Sequence, residues 1–211
     1  MSTDLPTVQT FAAAPEVIFA KYSDRAFLDG RLQAAGGLDP QVTTLESSGD
    51  GADQALRIVT QQAIPASVLP SMVSSLMPGD PLIVRTENWR PAGGGYVADF
   101  DVLIKGAPAS LKGTMTLAAG STADSSTVTI DGQASVPIPL FGGKIESVIV
   151  EQVDKLLKAE EAYTQQTLGS SAAGDSATGN SAANHSAAND SATGDSATGD
   201  SATGVSAAND S

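Results

Sequence analysis

Cysteine is absent from this sequence of 211 residues, and its single histidine, His185, lies in a low-complexity C-terminal segment. The absence of cysteine excludes disulfides, thiolate nucleophiles and sulfur ligands for metals. With no histidine before residue 185, the rest of the chain can form neither a Ser-His-Asp nor a Cys-His catalytic centre, nor the usual zinc site. We therefore predict no metal and no cofactor, and the composition favours a binding protein over an enzyme.

Positive charge is also scarce. The chain has 11 Lys and Arg against 24 Asp and Glu, a formal net charge of −13, and the basic residues are scattered singly. Such a surface repels phosphate backbones, so we predict no nucleic-acid partner. The N-terminus shows no secretory signal, and no apolar run is long enough for a membrane span. These observations predict a cytoplasmic protein without an integral membrane segment, and no pattern identifies a protein partner.

The segment from Gly169 to the C-terminus is a repeat of small and polar residues. Serine returns every five residues from Ser171 to Ser206, and the segment contains no Leu, Ile, Phe, Tyr, Trp, Lys or Arg. Such a composition cannot bury enough apolar surface to offset the entropy of ordering the chain. We therefore predict one folded domain over residues 1–168 and a disordered pentapeptide-repeat tail over residues 169–211.

The segment from Lys144 to Leu168 has the pattern of one long amphipathic helix. At 100° per residue, an apolar stripe follows one line through Ile145 and contains Val148, Ile149, Val153, Leu156, Ala159 and Tyr163. Leu156 is central in this stripe and Leu157 lies on its flank, so Leu156 is expected to be the more buried of the two. A helix of this length, laid across an antiparallel sheet, can enclose a space for a ligand.

The chain before this helix reads mainly as strands. A strand over Thr7–Ala13 precedes two short helices, the first opening at Pro15 and the second capped by Ser23 or Asp24. Turn signals then separate further strands at 38–47, 54–64, 81–90, 96–105, 110–119 and 126–138. A helical stretch, interrupted by Pro70, is predicted over Pro65–Met77. The pattern is that of an α+β domain with a curved antiparallel sheet of about seven strands.

Alternation in the last three strands places several small residues on the face toward the long helix. Close packing requires that such small side chains be compensated by a nearer helix or by a bound molecule. The residues predicted to line a cavity there are Ala98, Phe100, Val102, Gly113, Met115, Gly132, Ala134, Ile149, Gln152, Leu156, Glu160 and Tyr163.

Two groups of polar residues allow alternative interpretations. Gln152 and Glu160 lie on the apolar stripe and could contact a ligand, but the favoured interpretation is that Glu160 reaches solvent or an arginine of the sheet. Arg85, Glu87 and Trp89 share one face of their strand. Facing inward, they would form a head-group site; facing outward, they would leave Leu82, Val84, Thr86 and Asn88 in the core. The apolar content of this alternate set slightly favours the outward orientation.

Four segments carry a family resemblance. They are LPSMVSSLMPGD (Leu69–Asp80), RTENW (Arg85–Trp89), KGTMTL (Lys112–Leu117) and VPIPLFGGKIE (Val136–Glu146). Together with the order of elements, they resemble an uncharacterised actinobacterial family of the START-like superfamily, which includes polyketide cyclases and birch-pollen-allergen-type carriers. The resemblance implies a helix-grip fold, in which the sheet wraps on the long C-terminal helix, and a hydrophobic cavity between them. It supplies no catalytic residue.

The leading hypothesis is therefore non-enzymatic binding of a small apolar ligand, lipid-like or polyketide-like. An alternative from the enzyme class is a cyclase or aromatase, in which acid-base chemistry would fall to Glu160, Glu87 or Tyr163. A third hypothesis is a protein-interaction domain that uses the outer face of the sheet.

Overall fold

The fold was analysed in a computed structural model, which describes residues 2–68, 71 and 79–178. Most of the helix predicted over Pro65–Met77, and most of the segment Leu69–Asp80, lie outside the described residues.

Seven antiparallel strands form one sheet. Their bounds are β1 Thr3–Phe11, β2 Leu38–Ser48, β3 Ala55–Ala63, β4 Leu82–Ala92, β5 Gly95–Ile104, β6 Ser110–Ala119 and β7 Ser126–Ser135. Strands β2 to β7 form a meander, and β1 adds to its far edge in the spatial order β1-β7-β6-β5-β4-β3-β2. The predicted sheet is confirmed, and its concave face receives the helices.

Three α-helices belong to the described fold: α1 (Pro15–Tyr22), α2 (Arg25–Ala34) and α3 (Gly142–Thr178). Proline opens α1, and the side chain of Asp24 caps α2 by accepting a hydrogen bond from the backbone N–H of Ala26 at 2.9 Å. Helix α3 continues past the predicted end at Leu168, into the segment predicted to be disordered. None of the described helices is long and apolar enough to cross a membrane.

The small residues of β6 and β7 make room for larger neighbours. Gly132 lies opposite Gly113, and a Cβ at Gly132 would come within 3.1 Å of the Phe100 ring and 3.3 Å of Leu111 Cδ1. A Cβ at Gly113 would collide with the carbonyl oxygen of Asp131. These glycines therefore allow close strand packing and leave the space above them to Phe100, which is buried.

Helix α3 is fixed to the edge of the sheet along one seam. Buried Glu146 accepts hydrogen bonds from the backbone N–H of Val136 (2.9 Å) and the Thr3 hydroxyl (3.1 Å), and Gln9 donates to the carbonyl of Leu157 (2.7 Å). Seam residues Glu146 and Leu157 lie about 100–120° around the helix from Ile145. The expectation that Leu156 is more buried than Leu157 is wrong, because Leu157 is 5% exposed and Leu156 is only partly buried.

Candidate ligand-binding cavity

A cavity of about 240 Å³ lies between α3 and one end of the sheet. Its walls are mostly apolar and come from strands β4 and β5, from the β5–β6 turn and from α3; they include Ile83, Val102, Ile104, Ala109, Ile138, Ile149 and Leu156. Its polar lining residues are Thr60, Gln62, Arg85, Ser110, Gln152 and Glu160. Apolar walls with a few polar groups are typical of sites for small molecules.

The predicted apolar stripe of α3 forms one wall of this cavity. Ile145, Val148, Ile149, Gln152 and Leu156 all line it, and all lie within about 60° of the line through Ile145. The seam that fixes α3 to β1 and β7 lies a quarter turn away. The hydrophobic pattern thus identified the helix correctly. The centre of the apolar stripe, however, forms the cavity wall and not the packing seam.

The predicted cavity residues separate into two groups. Val102, Ile149, Gln152, Leu156 and Glu160 line the cavity. The other predicted residues belong to the packed interior, with Phe100 filling the space over the small residues of the sheet; they are Ala98, Phe100, Gly113, Met115, Gly132, Ala134 and Tyr163.

Tyr163 is placed between helices. Its ring lies 5.6 Å from that of Phe27, centroid to centroid, and its hydroxyl lies where a Cβ of Gly30 would be. Glycine at position 30 therefore lets α2 and α3 approach at this point. Tyr163 is a helix-packing residue, away from the cavity.

A buried cluster of ion pairs contributes two of the polar residues that line the cavity, Arg85 and Glu160. The carboxylate of Glu160 accepts hydrogen bonds from Arg31 Nη2 at 2.5 Å and from Arg85 Nη1 at 3.0 Å. Arg85 Nε lies 2.8 Å from Glu87 Oε1, at an angle that makes this contact an ion pair without a hydrogen bond. The other oxygen of Glu87 accepts a hydrogen bond from the indole N–H of Trp89 at 2.8 Å.

The electrostatics of this cluster favour the charged forms of Glu160 and Arg31. Burial alone would raise the pKa of Glu160, but the charges and hydrogen bonds of Arg31 and Arg85 outweigh burial and lower the pKa. Burial would likewise lower the pKa of Arg31, but the opposing charge of Glu160 outweighs it and raises the pKa. Burial raises the pKa of Tyr22, whose ring lies under the Arg31 guanidinium, to about 12. Two cations therefore balance two anions beside a neutral phenol.

This geometry corrects the outward orientation that the sequence slightly favoured for the strand β4 residues. Glu87 and Trp89 are each only 2% exposed, and Arg85 lines the cavity. The charged side chains of β4 can face inward because residues on α2 and α3 pair with them. The alternation of residues along a strand does not reveal such partners. Glu160 does reach a sheet arginine, as one of the two interpretations held.

Sequence reasoning missed several site residues, among them Thr60 and Gln62 in the cavity lining and Arg31 in the ion-pair cluster. Arg31 lies on the buried face of α2 with Phe27, Leu28 and Leu32, at helical spacings of three and four residues from the first two. An arginine on the apolar stripe of a short helix was the available signal for a buried charge and for its partner. Within the described residues, no three His, Cys, Asp or Glu side chains come together as a metal site would require.

Comparison with known proteins assigns the family. The model of the DUF2505 family, described as a protein of unknown function, matches residues 7–168, and the chain belongs to that family. Uncharacterized proteins Rv0481c of Mycobacterium tuberculosis and Mb0491c of Mycobacterium bovis are each 35% identical over 128 residues, covering 58% of this chain and 74% of the relative. The family predicted from the four segments is thereby confirmed as one of uncharacterised proteins.

Comparison with a solved structure confirms the class of fold. The Zhui aromatase/cyclase of Streptomyces sp. R1128 superposes with a TM-score of 0.51 at 10% identity, over 80% of this chain and 96% of the other. A START superfamily protein of Mycobacterium smegmatis is also similar, with a TM-score of 0.48 at 14% identity, over 78% and 98% of the two chains. The protein therefore shares the α+β fold of the Zhui aromatase/cyclase, in which an antiparallel sheet packs on a long C-terminal helix.

Proposed function

We propose that this protein binds one small hydrophobic molecule, lipid-like or polyketide-like, without transforming it. The cavity between the sheet and α3 is the observation that carries the proposal, since its walls are mostly apolar and contain only a few polar groups. The absence of a nucleic-acid partner and the cytoplasmic location remain predictions from composition.

A cyclase or aromatase activity is the second candidate, because the fold is shared with an aromatase/cyclase. A general base needs a pKa near the working pH and access to the substrate proton. Arg31 and Arg85 occupy the carboxylate of Glu160 and lower its pKa. Glu87 is held by Arg85 and Trp89, and Tyr163 packs on α2. The three groups first considered for acid-base chemistry are thus engaged elsewhere, which favours binding.

The interaction-domain hypothesis depended on an exposed Trp89 and on a collapsed cavity. Trp89 is buried beside Tyr22, with ring centroids 5.3 Å apart, and the cavity is present. Both observations favour a ligand inside the domain over a partner on the outer face of its sheet.

Binding can be tested by titrating the isotope-labelled protein with naphthalene, 2-naphthol, decanol and decanoate and following its amide resonances. Leu156→Trp, which adds bulk at a residue lining the cavity, is expected to weaken binding at least tenfold while the dispersed spectrum is retained. The matched control is Lys158→Trp, at an exposed position of the same helix, and it should bind as the wild type does.

Failure of all four probes to bind the wild type would overturn the proposal. So would equal affinities of the Leu156→Trp and Lys158→Trp proteins, because binding would then lie outside the cavity. Mass spectrometry of the compounds extracted from purified protein would identify a natural ligand, and turnover of that ligand would show that the second candidate is correct.

A further inference from the structure

We propose that the ligand is uncharged and carries a hydroxyl group, which hydrogen-bonds to the side-chain amide of Gln62. This inference rests on the proposed function and adds the chemical class of the molecule bound. It depends on the charge balance of the cavity, on an unpaired polar atom in its wall and on the position of that atom.

The charge balance argues against an ionic ligand. Among the described residues that line the main cavity, the charged ones are Arg85 and Glu160, and both belong to the cluster with Arg31 and Glu87. This cluster is neutral as a whole. A smaller neighbouring cavity is also lined by Lys155, whose charge is paired with Glu151 at 2.7 Å. A carboxylate or an ammonium group of a ligand would add one uncompensated charge to a buried and otherwise apolar space, which is costly. The remaining polar lining consists of hydroxyl and amide groups, which are matched by a neutral hydrogen-bonding group.

The unpaired atom is Gln62 Oε1. Gln62 is only 6% exposed, and within the described part of the chain its Oε1 has no hydrogen-bond partner. A buried acceptor without a donor is destabilising, and such groups in native proteins usually have a partner. Oε1 faces Gly37 and has less than 1 Å² of accessible surface, so a ligand hydroxyl reaches this oxygen only when the amide is turned over and its oxygen and nitrogen exchange places. Because a hydroxyl group both donates and accepts, it can pair with the amide in either orientation.

The side chain of Gln62 lies between two cavities. Gln62, Gln152 and Leu156 line both the main cavity and a smaller one of about 190 Å³ beside Gly36 and Gly37. Gln62 Oε1 lies 2.7 Å from where a Cβ of Gly37 would stand, so glycine at this position leaves room for the amide. A ligand can therefore keep its apolar body in the main cavity and place a hydroxyl at the wall that the two cavities share.

The test compares three probes with one ring system: naphthalene, 2-naphthol and 2-naphthoate. The wild type should bind 2-naphthol about tenfold more tightly than naphthalene, the effect of one net hydrogen bond in a buried site, and should bind 2-naphthoate least. Gln62→Leu should abolish the preference for 2-naphthol and leave naphthalene affinity within about twofold, since only one hydrogen bond is removed.

The matched control is Gln61→Leu on the other face of the same strand, where the amide of Gln61 bonds Gln41 at 3.2 Å; its preference should equal that of the wild type. Gln62→Met, which retains an unbranched side chain of similar length, serves as a second variant if Gln62→Leu does not fold. A preference for 2-naphthol that persists in the Gln62 variant would overturn the inference, as would tightest binding of 2-naphthoate.

The outcomes also separate the two proposals. Equal binding of naphthalene and 2-naphthol in the cavity would overturn the hydroxyl assignment and leave the proposed function standing. Failure of all three probes, together with decanol and decanoate, would overturn both.

Discussion

The two sides of helix α3 differ in how they meet the sheet. On the seam side, β1 and β7 are joined to the helix by hydrogen bonds to Glu146 and to the carbonyl of Leu157, and the side chain of Leu157 is buried. On the other side, Ile149, Gln152 and Leu156 face a cavity. Because directed hydrogen bonds fix the helix along one edge, the adjacent side does not need to pack closely. One helix can thus close the core and shape a pocket.

Glu160 lies where these two sides meet, and its removal should have the largest effect. Glu160→Gln removes one anion from the buried cluster and leaves Arg31 and Arg85 with a single remaining carboxylate. Breaking a buried pair in this way is expected to lower the free energy of unfolding by about 3–5 kcal/mol. Urea denaturation measures the loss. The control, Glu151→Gln in an exposed pair with Lys155, should cost no more than about 0.5 kcal/mol.

Acid should remove this difference between wild type and Glu160→Gln. The folded-state pKa of Glu160 is lowered, so its contribution to stability is present above the unfolded pKa of about 4.3 and is lost as pH falls through the folded value. Denaturation of both proteins from pH 7 down to pH 3 should show a difference that is constant above about pH 5 and shrinks below about pH 4. A difference that grew on acidification would mean that Glu160 is protonated in the folded protein.

Alanine substitutions at two adjacent leucines test the comparison within one helical turn. Leu157→Ala removes a buried side chain from the seam and should cost about 2–5 kcal/mol. Leu156→Ala enlarges a cavity that already exists and removes a side chain that is only partly buried, so it should cost clearly less. Urea denaturation of the two variants side by side measures which substitution lowers the free energy of unfolding more. Equal losses would contradict the assignment of seam and cavity sides.

A smaller effect is expected from two glycines. Gly132→Ala places a Cβ 3.1 Å from the Phe100 ring in the packed half of the interior and should destabilise by about 1–3 kcal/mol. Gly143→Ala lies in the first turn of α3 with open space around it and should stabilise by about 0.5–1 kcal/mol. Thermal melts of both proteins show whether each substitution lowers or raises the melting temperature. If Gly132→Ala left the stability unchanged, the interior around Phe100 would have free space, as the cavity does.

The fold was predictable because its signals are local. Alternation defined the strands and a helical period defined α3, and the structure contains all of them, although α3 ends at Thr178 instead of Leu168 and β1 begins at Thr3 instead of Thr7. The two short helices followed from Pro15 and Asp24, which start helices by their own geometry and hydrogen bonding.

The site was less predictable because its determinants join distant parts of the chain. A glycine at position 132 on the inner face predicts empty space above it, and only the structure shows that the Phe100 ring occupies that space. Arg85 and Glu87 look too polar for a core until Arg31 and Glu160 are brought beside them. Periodicity also gives the width of an apolar stripe but not which half of it contacts protein, so the roles of Leu156 and Leu157 were exchanged.

The most direct test of the difference between the seam side and the cavity side of α3 is to map where a ligand binds. In an amide and methyl NMR titration with 2-naphthol, the largest shifts should fall on cavity residues such as Val102, Ile149 and Leu156. Core residues such as Ala134, together with Leu157 on the seam, should shift little. Saturable shifts confined to the cavity group are the predicted result. Shifts centred on the seam or on the outer face of the sheet, or no saturable shift with any apolar probe, would contradict the assignment of this cavity as a binding site.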